Sequence, residues 1–180
     1  MVGPGDPDAR LLLDVMCGGL TSILRMVGYD AVYALDRDAE DDETLLRIAR
    51  NEDRTVITRD VHLANRCDSS VLLTALDTDD QLDELADAGF ELVLTEPTRC
   101  ASCNGRLLAV EGAGGSRTDS SDRDGADRSD TEISEVLTVE ETPESVPDPG
   151  ETRLWRCRAC GQYFWKGSHW DHVESRLQGR

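Results

Sequence analysis

Lysine is almost missing from this chain. Lys166 is the only one among 19 basic side chains, set against 37 acidic ones, and the formal net charge is −18. Aspartate exceeds glutamate. A lysine-poor, acidic composition of this kind resembles proteins from salt-accumulating halophiles, in which charge is a solvation device and says little about substrate. No apolar run is long enough to span a bilayer, and the opening MVGPGDPDAR has no apolar signal core. These absences lead to the expectation of a soluble, cytoplasmic protein. They also bear on the six cysteines, four of which form two C-x-x-C pairs. In a chain that is not exported, such pairs point to metal rather than to disulfides. No P-loop or G-x-G-x-x-G phosphate cradle is present.

The charge is unevenly spread. Residues 1–96 carry 8 basic and 22 acidic side chains, and residues 111–151 carry 3 and 13. The stretches that bear the cysteine pairs are the positive ones: residues 97–110 have two arginines and no acid, and residues 152–180 have 6 basic and 2 acidic side chains. An acidic first domain, a basic cysteine-bearing unit in two pieces and an acidic insertion therefore divide the chain at 9–96, 97–110 with 152–180, and 111–151.

The first unit alternates short apolar runs with helical periodicity, as an α/β domain with a mostly parallel sheet does. Strands are expected at Arg10–Asp14, Ala31–Leu35, Thr55–Thr58 and Val71–Thr74, with a further apolar run, ELVLT, at Glu91–Thr95. Leu20, Ile23, Leu24 and Val27 give one helical face, closed by Gly28 at the C-cap. A second helix opens at Asp42, whose plain reading is an N-cap, and a third carries Leu82, Leu85 and Ala86. The stretch from Glu111 to Gly150 loses apolar periodicity and should be disordered or loosely held, with VLTV at Val136–Val139 as a short strand near its end. Ser168 and Asp171 fit a capping box that opens a last helix.

In parallel α/β units, strand C-termini and the following helix N-termini share one edge, where ligand sites form. Asp14 ends the first strand, Asp42 opens the helix after the second, and Asp60 follows the third. Each alone is a turn or cap residue. Gathered together, carboxylates repel unless a cation neutralises them, and hard Mg²⁺ or Mn²⁺ prefers such oxygen ligands. That chemistry suits phosphodiester hydrolysis. Asp77, Asp79 and Asp80 are candidates for a fourth ligand. A phosphoacceptor receiver domain needs a lysine after strand five, and haloacid-dehalogenase-type phosphatases need D-x-D, which Asp14-Val15-Met16 lacks.

Cys100, Cys103, Cys157 and Cys160 supply four thiolates for a closed structural Zn²⁺ site. A long loop between the pairs is tolerable, because loop-closure entropy grows only logarithmically. Around them Trp155, Tyr163, Phe164, Trp165 and Trp170 alternate with Arg153, Arg156, Arg158 and Lys166. This fits either aromatic packing or contact with single-stranded nucleic acid. Cys17 and Cys67 are expected to be buried thiols.

The motif D-x-M-x-G-x-L-x-x-x-L-R-x-x-G-x-D runs from Asp14 through Met16, Gly18, Leu20, Leu24, Arg25 and Gly28 to Asp30. With DDETLLRIA, TVITRD, C-x-x-C-N, C-x-x-C-G and W-x-G-S-H-W, it resembles the PIN-like ribonucleases with a C-terminal zinc ribbon, the mutator-seven C-terminal RNase family. That resemblance implies a PIN-like three-layer fold, structural zinc, Mg²⁺ or Mn²⁺ dependence and RNA cleavage, with Asp14, Asp42 and Asp60 as metal ligands. Arg25 or Arg59 would contact phosphate, and Arg156, Arg158, Lys166, His169 and Trp170 are candidate RNA contacts on the ribbon. The alternative is a non-catalytic RNA- or ribosome-associated module in which the carboxylates are caps and only the ribbon works.

Overall fold

The computed structural model describes residues 8–112, 136–139 and 142–180. Four short strands form a fully parallel sheet in the order β2-β1-β3-β4: β1 (Arg10–Leu13), β2 (Asp30–Tyr33), β3 (Thr55–Thr58) and β4 (Ser70–Leu72). The helices are α1 (Thr21–Met26), α2 (Asp42–Asn51), α3 (Val61–Ala64) and α4 (Thr78–Asp87). Side chains of a strand alternate between its two faces, and here each face meets a separate core. Leu11, Leu13, Ala31, Ile57 and Val71 join α1 and α4 residues on one side, while Leu12, Val32 and Val56 join Leu45, Leu46, Ala49 and Leu63 on the other. The result is the three-layer PIN-like architecture.

A second sheet, in the order β6-β5-β7-β8, makes the ribbon: β5 (Leu107–Gly112), β6 (Val136–Val139), β7 (Leu154–Cys157) and β8 (Tyr163–Trp165). VLTV is thus a strand, parallel to β5, while β7 pairs antiparallel with β5 and β8. Most of the acidic insertion expected to be disordered, residues 113–135 and 140–141, lies outside the described residues. The last helix, α5 (Ser168–Leu177), does not stay with the ribbon. Its Trp170, Val173 and Leu177 belong to the same core as Leu11, Leu24 and Leu82, and its arginines reach α4, Arg176 to Asp79 at 3.0 Å.

Four expectations are corrected. Strand β2 stops at Tyr33, because Ala34–Arg37 winds into a 3-10 turn closed by left-handed Asp38 (φ 50°). Strand β4 is Ser70–Leu72 rather than Val71–Thr74. ELVLT buries Leu92 and exposes Val93 as a strand would, yet its Glu91 amide donates to the Tyr29 hydroxyl instead of a ladder partner. The capping box does not form: Ser168 is already helical, Gly167 is the N-cap and no side chain caps it. Gly28 does follow α1 with φ +106°, and its amide and that of Tyr29 close the helix on Arg25 and Leu24 carbonyls.

Leu12 is fully buried on the α2–α3 face. Leu12→Ala should cost about 2–5 kcal/mol, whereas Val93→Ala, at 61% exposed, should fall within about 0.5 kcal/mol of wild type. Chemical denaturation of the two variants checks this contrast.

Candidate functional site

Strand β1 delivers Asp14 to the C-terminal edge, where the chain turns at once into a 3-10 helix, Val15–Leu20. The Asp14 carboxylate is 6% exposed. Its Oδ1 accepts from the Val15 amide at 2.6 Å, and its Oδ2 from the Thr58 hydroxyl at 2.7 Å. Gly18 is needed in this turn, since a Cβ there would lie 2.7 Å from the Tyr33 hydroxyl oxygen. Cys17 is buried beneath; burial first, and the nearby Asp14 carboxylate second, push its thiol up to about 12, so it stays protonated. The half-buried Cys67 donates to the Leu63 carbonyl at 3.2 Å.

Strand β3 delivers Thr58 and Asp60 beside it. The Thr58 hydroxyl that donates to Asp14 also accepts from the Asp60 amide at 3.0 Å, so one buried side chain ties the two aspartates together. Asp60 caps α3, both cap bonds falling on Oδ1. Between them, Arg59 is half-buried, and its Nε is out of water with no hydrogen-bond partner. Asp42 is placed differently. Asp41, not Asp42, caps α2, and the half-buried Asp42 pairs with Arg66 at 3.0 Å. Asp77 caps α4 and Asp79 is held by Arg176 and Arg180.

Among the described residues, the group whose ligand atoms all lie within 4.8 Å of one another is Cys100, Cys103, Cys157 and Cys160; the three aspartates form no such group. The cysteine sulfurs are 3.7 Å apart for Cys100–Cys160 and 3.5 Å for Cys103–Cys157. A disulfide needs about 2.05 Å, whereas a tetrahedron with Zn–S bonds of about 2.3 Å has edges of about 3.8 Å. The quartet therefore has the dimensions to hold a metal ion such as zinc. The amides of Cys103 and Cys160 point at the Sγ atoms of Cys100 and Cys157, at 3.4 and 3.5 Å. In each knuckle the residue after the second cysteine is left-handed, Asn104 at φ 64° and Gly161 at φ 76°. Glycine and asparagine are the residues that tolerate that conformation.

Asparagine at 104 has a further use. Its Oδ1 accepts from the Ala31 amide at 3.2 Å, and its Nδ2 donates to Asp30 at 2.7 Å. Ala31 lies on the sheet's edge strand, and its carbonyl receives Arg25 Nε at 2.8 Å. Arg25 also donates to the Ala101 and Ser102 carbonyls and to Asp36. With its side chain 4% exposed, Arg25 has no face left for phosphate; it is a bolt between sheet and knuckle. Burial alone would raise the Asp30 carboxyl, but hydrogen bonds from Arg54 and Asn104, with the charges of Arg54 and Arg99, hold it below the ordinary carboxylate range. Its contribution to stability is complete above the unfolded value near about 3.9 and is lost as pH falls through the lower folded value.

On the ribbon, Trp170 is buried and covered by Lys166, whose Nζ lies 5.0 Å from the ring centre, so it is a core residue rather than an exposed RNA contact. Trp155 is buried too. Arg158 and His169 are exposed, and Arg156 is half-buried.

A parallel sheet with aspartates on its C-terminal edge, followed by a ribbon whose four thiols could hold a metal ion, defines a PIN-like α/β fold with a C-terminal ribbon. The sequence model described as Mut7-C RNAse domain matches residues 9–118 and 129–177, and the chain belongs to that family. Ribonuclease-type function is the general assignment that follows, with RNA as the substrate class the family implies. No curated protein and no solved structure matches the chain. Among the described residues no helix is long and apolar enough to cross a membrane.

Sequence reasoning missed Thr58 as the tie, and missed Asn104 as the anchor although asparagine where the second knuckle has glycine was a legible signal. Asn104→Ala removes the partner of the Ala31 amide and should cost roughly 1–3 kcal/mol while the metal content stays at the wild-type level. Thermal melts beside elemental analysis measure both.

Proposed function

We propose that the chain hydrolyses RNA phosphodiester bonds at the C-terminal edge of the parallel sheet, with Asp14 and Asp60 as the working carboxylates and a divalent ion as cofactor. One observation carries this reading. Asp14 is buried and has two hydrogen bonds but, among the described residues, no ion-pair partner. Buried charges are ordinarily paired or bound to metal, and Arg25, Arg37, Arg54 and Arg66 are spent on Asp36, Glu52, Asp30 and Asp42. The donors are hard oxygens, as Mg²⁺ and Mn²⁺ prefer. Asp14 and Asp60 would hold the ion, and Asp42 would join them only by giving up Arg66.

When bound, such an ion supplies an activated water and offsets charge on the phosphate. The chain's own part is positional. Thr58 fixes the orientation of Asp14, the α3 cap fixes Asp60, and Arg59, between Thr58 and Asp60 in the chain, would be the cation offered to phosphate. The four cysteines would hold a structural zinc with no open position, and the ribbon would grip RNA.

A second reading has support in the same contacts. Asp60 caps a helix and Asp42 pairs with Arg66, as in a non-catalytic RNA- or ribosome-associated module. Cleavage of labelled RNA in Mg²⁺ or Mn²⁺ separates the two. Asp14→Asn and Asp60→Asn should each lower the rate on the order of 10²-fold or more with zinc content unchanged. Equal cleavage by wild type and both variants would refute the catalytic assignment, and RNA binding without cleavage by wild type would establish the second reading.

A further inference from the structure

The basic, aromatic character of the ribbon is sorted by its strand register. Opposed pairs Trp155↔Phe164 and Arg156↔Tyr163 are successive, so they lie on opposite faces. Trp155 and Phe164 turn inward to Leu107, Cys100 and Cys157. Arg156, Tyr163 and, two residues on, Trp165 share the other face with Leu154, which pairs with Trp165 and is itself fully buried. Trp165 is 38% exposed, an uncommon position for tryptophan in this chain, where Trp155 and Trp170 are buried.

The face is held in place. Arg156 Nε donates to the Gly161 carbonyl at 3.3 Å, which sets the guanidinium 5.4 Å from the Tyr163 ring centre. Trp165 lies against Gly167, where a Cβ would come within 2.9 Å of the indole nitrogen. The charge is also available there. Arg99, Arg153, Arg176 and Arg180 are committed to Asp30, Glu96, Asp79 and Asp83. Arg156 and Lys166 make no carboxylate pair among the described residues, on a chain whose net charge is −18.

We propose that this outward face of β7–β8 is a platform for single-stranded RNA, on which Tyr163 and Trp165 stack bases while Arg156 takes an adjoining phosphate. Every base has a π-face, so stacking of this kind reads strandedness rather than sequence. A duplex hides those faces, and its deep, narrow major groove admits no such side chains. The proposal rests on RNA as the ligand but not on catalysis.

The test uses the full zinc-loaded chain, a fluorescent single-stranded oligouridylate and no added Mg²⁺, Mn²⁺ or chelator. Trp165→Ala and Tyr163→Ala should each weaken binding roughly 5- to 100-fold, with Trp165→Phe restoring most of it. Arg156→Gln should lower the dependence of binding on salt by about one phosphate contact. Zinc content and melting temperature should stay at wild-type values, and a duplex of the same length should bind more weakly. Binding within twofold of wild type in the Trp165/Tyr163 double variant would overturn the platform, as would a wild type that binds no RNA and uses this face for protein. Loss of binding in the variants, beside a wild type that never cleaves, would support the platform and refute the catalytic reading separately.

Discussion

Ala31, on the edge strand of the parallel sheet, has its amide taken by Asn104 and its carbonyl by Arg25. Both partners belong to the first cysteine knuckle or reach into it, because Arg25 continues to the carbonyls of Ala101 and Ser102. An uncovered edge strand is a liability that proteins manage explicitly. Here the cysteine knuckle covers it, so the geometry of a thiol cluster and the order of the sheet depend on one set of hydrogen bonds. Asp30 adds charge to the joint, collecting Arg54, Arg99 and Asn104 on one carboxylate.

The opposite end of the ribbon closes a second joint. Helix α5 places Trp170, Val173 and Leu177 in the sheet's own core and clasps α4 through Asp79 and Asp83. The acidic surface of α4 is thereby partly neutralised by arginines from the chain's basic end. Between these joints the C-terminal edge of the sheet remains available for Asp14, Thr58 and Asp60. A buried aspartate without an ion-pair partner is costly unless a cation accompanies it, and that cost is the support for the proposal of divalent chemistry at this edge.

Much of this was legible in the residues. TVIT is the most buried strand, with all four positions inside, and its β-branched run announced it. The α/β order with a parallel sheet followed from apolar periodicity, the cysteine quartet from the two C-x-x-C spacings, and the three-layer PIN-like arrangement from the family resemblance. What escaped the sequence was which of several similar side chains is spent on structure. Arg25 and Arg59 look alike on paper, but only the fold shows Arg25 surrounded by four acceptors. Asp41 and Asp42 are adjacent, and one residue of helical phase decides which is the cap. Trp165 and Trp170 flank the same glycine, yet one is 38% exposed and the other lies in the core. Tertiary partners made those choices, and no local pattern encodes them.

The central claim is that the thiol site and the parallel sheet form one cooperative unit joined at Ala31. Hydrogen exchange on the full chain, before and after zinc is stripped by a zinc-selective chelator, tests it most directly. The account predicts faster exchange not only in residues 97–112 and 154–165 but also in β2, β1 and β3. Acceleration confined to the two ribbon segments, with the amides of the parallel sheet protected as before, would contradict it.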